Sequence, residues 1–225
     1  MSYIYEDLGR IDYAVALERQ EEVFDALLSA KMGGGRAEGR LFFCEHNPVI
    51  TIGRSGREEN LLVSQAALTA RGVALYRVNR GGDITYHGPG QITVYPIFDL
   101  EEWGMGLRRY VYILEEISIR FLALYGIEGG RMEGAAGVWI DALRRGGSAR
   151  KICAVGVRSS RYVTMHGMAL NVNADLRCFS MINPCGFKDK GVTSVSKELG
   201  AEQDLECAKL RLKTLFLEFF PPAQE

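Results

Sequence analysis

Between residues 107 and 125 the apolar residues Leu107, Tyr110, Val111, Leu114, Ile117, Phe121 and Leu124 recur in steps of three and four. That is the period of a helix with one apolar stripe, and Gly126 stands where a left-handed cap would stop it. A second stripe (Ala14, Leu17, Phe24, Leu27, Leu28) predicts a helix from Asp12 to Lys31, with Asp12 as its cap and Gly33-Gly34-Gly35 as its stop. A third helix is predicted from about Gln203 to Phe219, ended by Pro221-Pro222, and Ser64 can cap a short one that ends at Gly72. Continuous or alternating apolar runs predict strands at 41–44 and 49–52, flanking a turn at Asn47-Pro48, and again at 73–78, 92–98, 137–141, 151–157, 162–165 and 168–172. Arg145-Gly146-Gly147-Ser148 has the composition of a hairpin turn between two of these. Hairpin partners are antiparallel, so the pattern favours α+β over a doubly wound sheet.

At 225 residues the chain is of a size for one domain, 1–225. The polar run after Gly200 marks where a small C-terminal subdomain could begin, from about residue 196. The net charge of −1 supplies no general field for nucleic acid or an anionic membrane. Arg144, Arg145, Arg150, Lys151, Arg158 and Arg161 nevertheless crowd together, as a solvated loop and strand edge or as a docking patch for an acidic partner. Five cysteines without regular spacing argue against a disulfide framework, and with three histidines no cluster has the ligand count of a closed metal site. The first residues lack the basic and apolar regions of a signal peptide, and no run of about 18 apolar residues exists. A cytoplasmic protein with free thiols is expected.

The candidate chemistry sits in three segments. Cys185 lies between Pro184 and Gly186, on a turn that one neighbour stiffens and the other lets bend sharply. Lys151 opens the strand-like run Lys151-Ile152-Cys153-Ala154-Val155-Gly156. Arg80-Gly81-Gly82-Asp83-Ile84-Thr85-Tyr86-His87-Gly88-Pro89-Gly90-Gln91 is glycine-rich enough to bring backbone close to a ligand, or to be a surface loop of tight turns. A cysteine with pKa about 8.5 is only a few per cent thiolate at pH 7, and a lysine ammonium in contact with it favours the anion. Cys185 can equally be a structural turn cysteine, and Lys151 a solvated charge. Cys44, Cys153 and Cys207 read as buried, inert thiols, and Cys178 is undecided. His87 and His166 fit either a polar contact in a site or a satisfied core position.

These segments resemble the lipoyl(octanoyl) transferase family. The resemblance runs over most of the chain: Glu45-His46-Asn47-Pro48-Val49 with Gly53-Arg54, the Arg80–Gln91 signature with Tyr95-Pro96, Gly137-Val138-Trp139, Lys151-Ile152 with Gly156, His166-Gly167-Met168-Ala169-Leu170-Asn171, and Pro184-Cys185-Gly186 with Val192-Thr193-Ser194. It implies a fold of the biotin and lipoate protein ligase kind, a mixed, largely antiparallel sheet flanked by helices. It implies Cys185 as nucleophile and Lys151 as the group that lowers the thiol's pKa and serves as general acid and base. Arg80, Gly81, Gly82, Asp83, Ile84, Thr85, Tyr86 and His87, with Ala154, Val155, Gly156, Gly167, Met168 and Ala169, are implied to line the acyl-substrate site. The implied donor is octanoyl-acyl carrier protein. The implied acceptors are lipoyl domains of 2-oxoacid dehydrogenase complexes and the glycine cleavage carrier protein, with no cofactor or metal. Asn47 stands where a proline is common. An ATP-dependent lipoate or biotin ligase is the alternative enzyme, because its adenylate site would use similar glycine-rich backbone, but it needs no acyl-cysteine. A binding module that has kept only the fold is the alternative without catalysis.

Overall fold

The computed structural model describes residues 2–142, 149–183 and 190–223. The chain opens with strand β1 (Tyr3–Ile11), helix α1 (Tyr13–Met32) and strand β2 (Gly39–His46). β1 and β2 pair in parallel, and α1 is the crossover that parallel neighbours require. The periodicity did not reveal β1. It is an edge strand carrying Glu6, Asp7 and Arg10, and charges of this kind both hide a strand from pattern reading and protect an edge from pairing further. Asp12 does not cap α1 through its side chain. Its carboxylate accepts instead from the Asn47 amide, so the expected cap is replaced by a tie to the turn after β2.

Strands β3 (Val49–Ile52), β4 (Ala74–Arg77) and β5 (Ile84–His87) make a small sheet in the order β4-β3-β5, with α2 (Gln65–Ala70) between β3 and β4 in the chain. The Ser64 hydroxyl does cap α2, accepting from the Ala67 N–H. The turn at Asn47-Pro48 thus carries the chain from one sheet to the other. After β6 (Gln91–Ile97) come α3 (Leu107–Ala123), β7 (Gly130–Met132), β8 (Ala135–Ile140), β9 (Arg150–Ser160), β10 (Val163–Asn171), β11 (Gly191–Val192), α4 (Val195–Leu199) and α5 (Leu205–Phe219). The larger sheet runs β1-β2-β6-β10-β9-β8-β7, antiparallel except for β1 with β2, and β11 adds a short parallel pairing to β9. This is the mixed α+β architecture expected from the sequence.

Period-two alternation sorts side chains between the two faces of the larger sheet. Leu41, Phe43, Ile92, Val94 and Leu170 bury against Tyr110, Leu114 and Phe121 of α3 and Leu212 and Phe216 of α5. Phe42, Cys44, Tyr95 and Met165 bury on the other face against Ala16, Phe24 and Leu27 of α1. The all-apolar run of β2 is therefore buried on both sides. The segments read as separate strands at 162–165 and 168–172 are one strand, bent where His166 takes φ +60°. Gly167 follows because a Cβ there would stand 2.2 Å from the Val94 carbonyl oxygen. The hairpin turn read at 145–148 lies outside the described residues.

The C-terminal helix shares its apolar cluster with Tyr3, Leu41 and α3. Removing a fully buried Phe side chain costs about 3–5 kcal/mol. Phe216→Ala is expected to lower the thermal midpoint by about 10 °C, at 2–4 °C per kcal/mol for a domain of this size, in one transition seen alike by far-ultraviolet and aromatic circular dichroism. A separate early transition for the C-terminal helix would show that it is not part of the common core.

Candidate active site

The larger sheet is thin where it needs to be. Ala154 faces Ala169, and Gly156 faces Gly167, across the β9–β10 pairing; Ala169 faces Thr93 across β10–β6. Side chains this small leave room above the sheet, and the smaller sheet and the segment leading into it roof that space. The result is a cavity of about 340 Å³, in the range of small-molecule sites. Arg80, Gly82, Asp83, Ile84, Thr85 and His87 line it from the roof, while Ala154, Val155, Gly156, Gly167, Met168 and Ala169 line it from the floor. Gly81 and Tyr86 stand behind. The Gly81 N–H donates to the Val157 carbonyl, and Tyr86 packs edge-on against Phe179.

The roof is held by backbone and one buried guanidinium. Arg80 donates to the Thr51 carbonyl (2.8 Å) and hydroxyl (2.9 Å), and to the Gly81 carbonyl (3.0 Å). Gly53 lies so close that a Cβ on it would meet the Gly82 carbonyl at 2.4 Å. Gly82 itself takes φ +84°. At both of these roof positions glycine is required. Asp83 accepts from the Asn60 amide (2.6 Å) and the Arg57 N–H (3.2 Å), which braces the loop.

Lys151 lines the same cavity and is only 8% exposed, so it is not the solvated charge that a lysine at a strand start usually is. Its ammonium donates to the Ala136 carbonyl (3.0 Å) and lies 4.6 Å from the centre of the Trp139 ring. Both contacts favour a cation away from water. Cys185 lies outside the described residues. Further along the chain, Val192 pairs in register with Lys151 and lines the cavity. The other cysteines sort by burial. Cys44 and Cys153 are buried, and burial pushes the Cys153 thiol up to about 12 and Cys44 higher still, so both are inert thiols. Cys207 is exposed rather than buried, because it lies on the outer side of α5 while Ala208 turns inward.

Beside the cavity lies a buried polar network. The His46 Nδ1–H donates to the Ile11 carbonyl (3.2 Å), which leaves its Nε2 to accept from the Tyr95 hydroxyl (2.7 Å). The His87 Nδ1–H donates to the Gln91 side-chain oxygen (2.7 Å), and the Gln91 amide donates to the Tyr86 carbonyl and to Asn171. Burial holds His46 at about 4 and His87 at about 3, the latter with help from His46 and Arg80; burial and Arg80 bring His166 to about 3. All three are neutral at pH 7. Of the basic crowd read from the sequence, Arg150 is paired with Asp141 and Glu198, and Arg158 lies over the Phe24 ring. Neither is a loose surface charge. Arg144 and Arg145 lie outside the described residues.

Residues 12–217 match the family model described as the lipoyl protein ligase A/B catalytic domain. The chain is 60% identical to the octanoyltransferase of Parabacteroides distasonis over 97% of its own length and 99% of that protein's. It belongs to the octanoyltransferase family. It is thus an acyltransferase, of the enzymes that move lipoyl and octanoyl groups. Solved structures agree on the fold. The bipartite lipoate protein ligase of Thermoplasma acidophilum superimposes with a TM-score of 0.68 at 18% identity, over 97% of this chain and 83% of that one. The biotin protein ligase of Aquifex aeolicus does so with a TM-score of 0.52 at 13% identity, over 97% and 68%. No helix among the described residues is long and apolar enough to cross a membrane.

Several cavity residues of this octanoyltransferase-family chain were not singled out by sequence reading. Tyr13, Thr93, Ala136 and Phe179 all line the cavity. Thr93 carried a signal that could have been used, a polar residue inside the apolar run of β6. Tyr13 and Ala136 carried none, since only the tertiary arrangement brings them to the cavity.

The neutral histidines make a pH prediction. In the unfolded chain each titrates near 6.5; in the folded protein they do so near 4, 3 and 3. Their contribution is complete above pH 6.5 and is lost as pH falls, because the unfolded state takes up protons that the folded state refuses. Each loses at most about 1.4 kcal/mol per pH unit. Urea midpoints are expected to fall from pH 7 to pH 5, and His166→Asn to flatten the slope by about one proton. A midpoint constant over that window would contradict the neutral, buried assignment.

Proposed function

We propose that the chain transfers an octanoyl group from the thioester of octanoyl-acyl carrier protein to a lysine of a lipoyl domain, through a thioester on Cys185. The observation that carries this reading is the Lys151 ammonium, buried at the side of a cavity floored by alanine and glycine. An eight-carbon chain offers about six methylenes, each contributing roughly 0.8 kcal/mol when fully buried. That suffices to seat the acyl group by its tail and leave its carbonyl to the polar residues.

In the first half-reaction the Cys185 thiolate, favoured by the Lys151 ammonium, attacks the thioester carbonyl, and the carrier's thiol leaves. In the second, the lysine amine of the acceptor attacks the octanoyl-cysteine, the cysteine sulfur leaves, and an amide forms. The incoming amine is neutral only on the order of one part in a thousand at pH 7, so removal of its proton needs help. Acylation removes the negative charge beside Lys151. A buried ammonium that has lost its counter-ion releases its proton more readily, so the same lysine can then act as base. Thioester to amide is downhill, which makes ATP and metal unnecessary. The acceptors fitting this chemistry are lipoyl domains of 2-oxoacid dehydrogenase complexes and the glycine cleavage carrier protein, reached in the cytoplasm.

Intact-mass measurement after mixing with octanoyl-acyl carrier protein, without ATP, tests the reading. Wild type is expected to gain one octanoyl group and lose it to added lipoyl domain; Cys185→Ser is expected to gain none on the thioester timescale. Lys151→Ala is expected to slow both steps by 10²-fold or more. Transfer that required ATP and free octanoic acid would point instead to a ligase.

A further inference from the structure

We propose that Glu115 of α3 is a positioning residue for Lys151, acting through a single peptide group. The inference rests on the reading of Lys151 as the acid–base group of the transfer. The peptide between Ala136 and Gly137 offers its carbonyl to the Lys151 ammonium at 3.0 Å and its N–H to the Glu115 carboxylate at 2.9 Å. An anion on the N–H of an amide draws charge toward its oxygen, which makes that oxygen a stronger acceptor. A carboxylate from the helix behind the sheet thereby reaches a cation in the cavity without touching it.

The peptide is held for this task. Gly137 takes φ +113°, and a Cβ on it would meet the Cys153 carbonyl oxygen at 2.3 Å, so no side chain fits there. The Trp139 indole N–H donates to the Ala135 carbonyl (3.0 Å), which sets the ring that lies against the ammonium. Glu115 is 8% exposed. Its other oxygen accepts from Arg131 of β7 (3.1 Å), and Arg131 also holds Glu116 (2.8 Å) and the Tyr112 carbonyl (3.0 Å). Among the described residues the Cys153 thiol is also near both Glu115 and Lys151 and stays protonated, while Arg150 beside Lys151 is paired with Asp141 and Glu198. Among the described residues Glu115 is thus an anion whose field reaches Lys151 along the peptide.

The substitution Glu115→Gln separates charge from shape, since glutamine keeps an oxygen for the Gly137 N–H. Single-turnover octanoylation is measured from pH 6 to pH 10, together with KM for the octanoyl carrier and the melting temperature. Without the anion the ammonium is less favoured. The alkaline limb is expected to move down by about half a pH unit or more, with KM unchanged. Arg131→Gln leaves the carboxylate uncompensated and is expected to move the limb the opposite way, which keeps the test open should Glu115→Gln fold poorly. Profiles of both variants that overlay the wild type, with only a lowered melting temperature, would reduce Glu115 to a brace and overturn the proposal. A Lys151→Ala profile that also overlays the wild type would instead remove the reading on which it rests.

Discussion

A lysine ammonium removed from water has to be compensated at the place where it is buried, and much of this molecule is arranged around that requirement. Lys151 meets a carbonyl on one side and an indole face on the other. The carbonyl points inward because Gly137 adopts a backbone conformation closed to residues with a Cβ. The ring is placed by its own N–H bond to Ala135. Burying a charge without such partners costs several kcal/mol, and with them it supplies a cation that neither solvent nor salt screens strongly. The cation is of use only because the space next to it is kept open by residues too small to fill it.

That opening is a product of register. Four small residues, Ala154, Gly156, Gly167 and Ala169, fall into facing pairs on β9 and β10. A shift of one residue along either strand would put Cys153, Val155 or Met168 in their place and close the floor. The roof is fixed just as tightly. Arg80 spans to Thr51, and Gly156 could not carry a side chain, since its Cβ would stand 2.9 Å from the Gly81 carbonyl oxygen. Roof and floor are in direct contact at that point, which sets the height of the cavity beside it. The neutral histidines belong to the same economy of charge: His46 and His87 serve as hydrogen-bond partners in a region that already holds Arg80 and Lys151.

The long helices were legible because burial on one face leaves a clean helical period, as from Leu107 to Leu124. Strands buried on both sides, such as 41–44, were legible as apolar runs. β1 was not, because charges on an edge strand erase the alternation. The bend at His166 was read as a gap between two strands, since nothing local announces a left-handed histidine inside a ladder. At the site, the motifs named most of the cavity lining. They could not show that Tyr13 comes in from the first helix, that Gly81 and Tyr86 stand behind the wall, or that Cys207 faces outward. Those facts depend on which way a side chain turns once distant segments meet, and spacing along the chain carries no information about that.

The central claim is spatial: the acyl tail lies on the alanine and glycine floor while its carbonyl sits at the Lys151 end. A crystal structure of the octanoylated enzyme tests it most directly. The account predicts density for the chain over Ala154 and Ala169, with the thioester within hydrogen-bonding reach of the Lys151 ammonium. An octanoyl chain lying outside this cavity, or a thioester remote from Lys151, would contradict it.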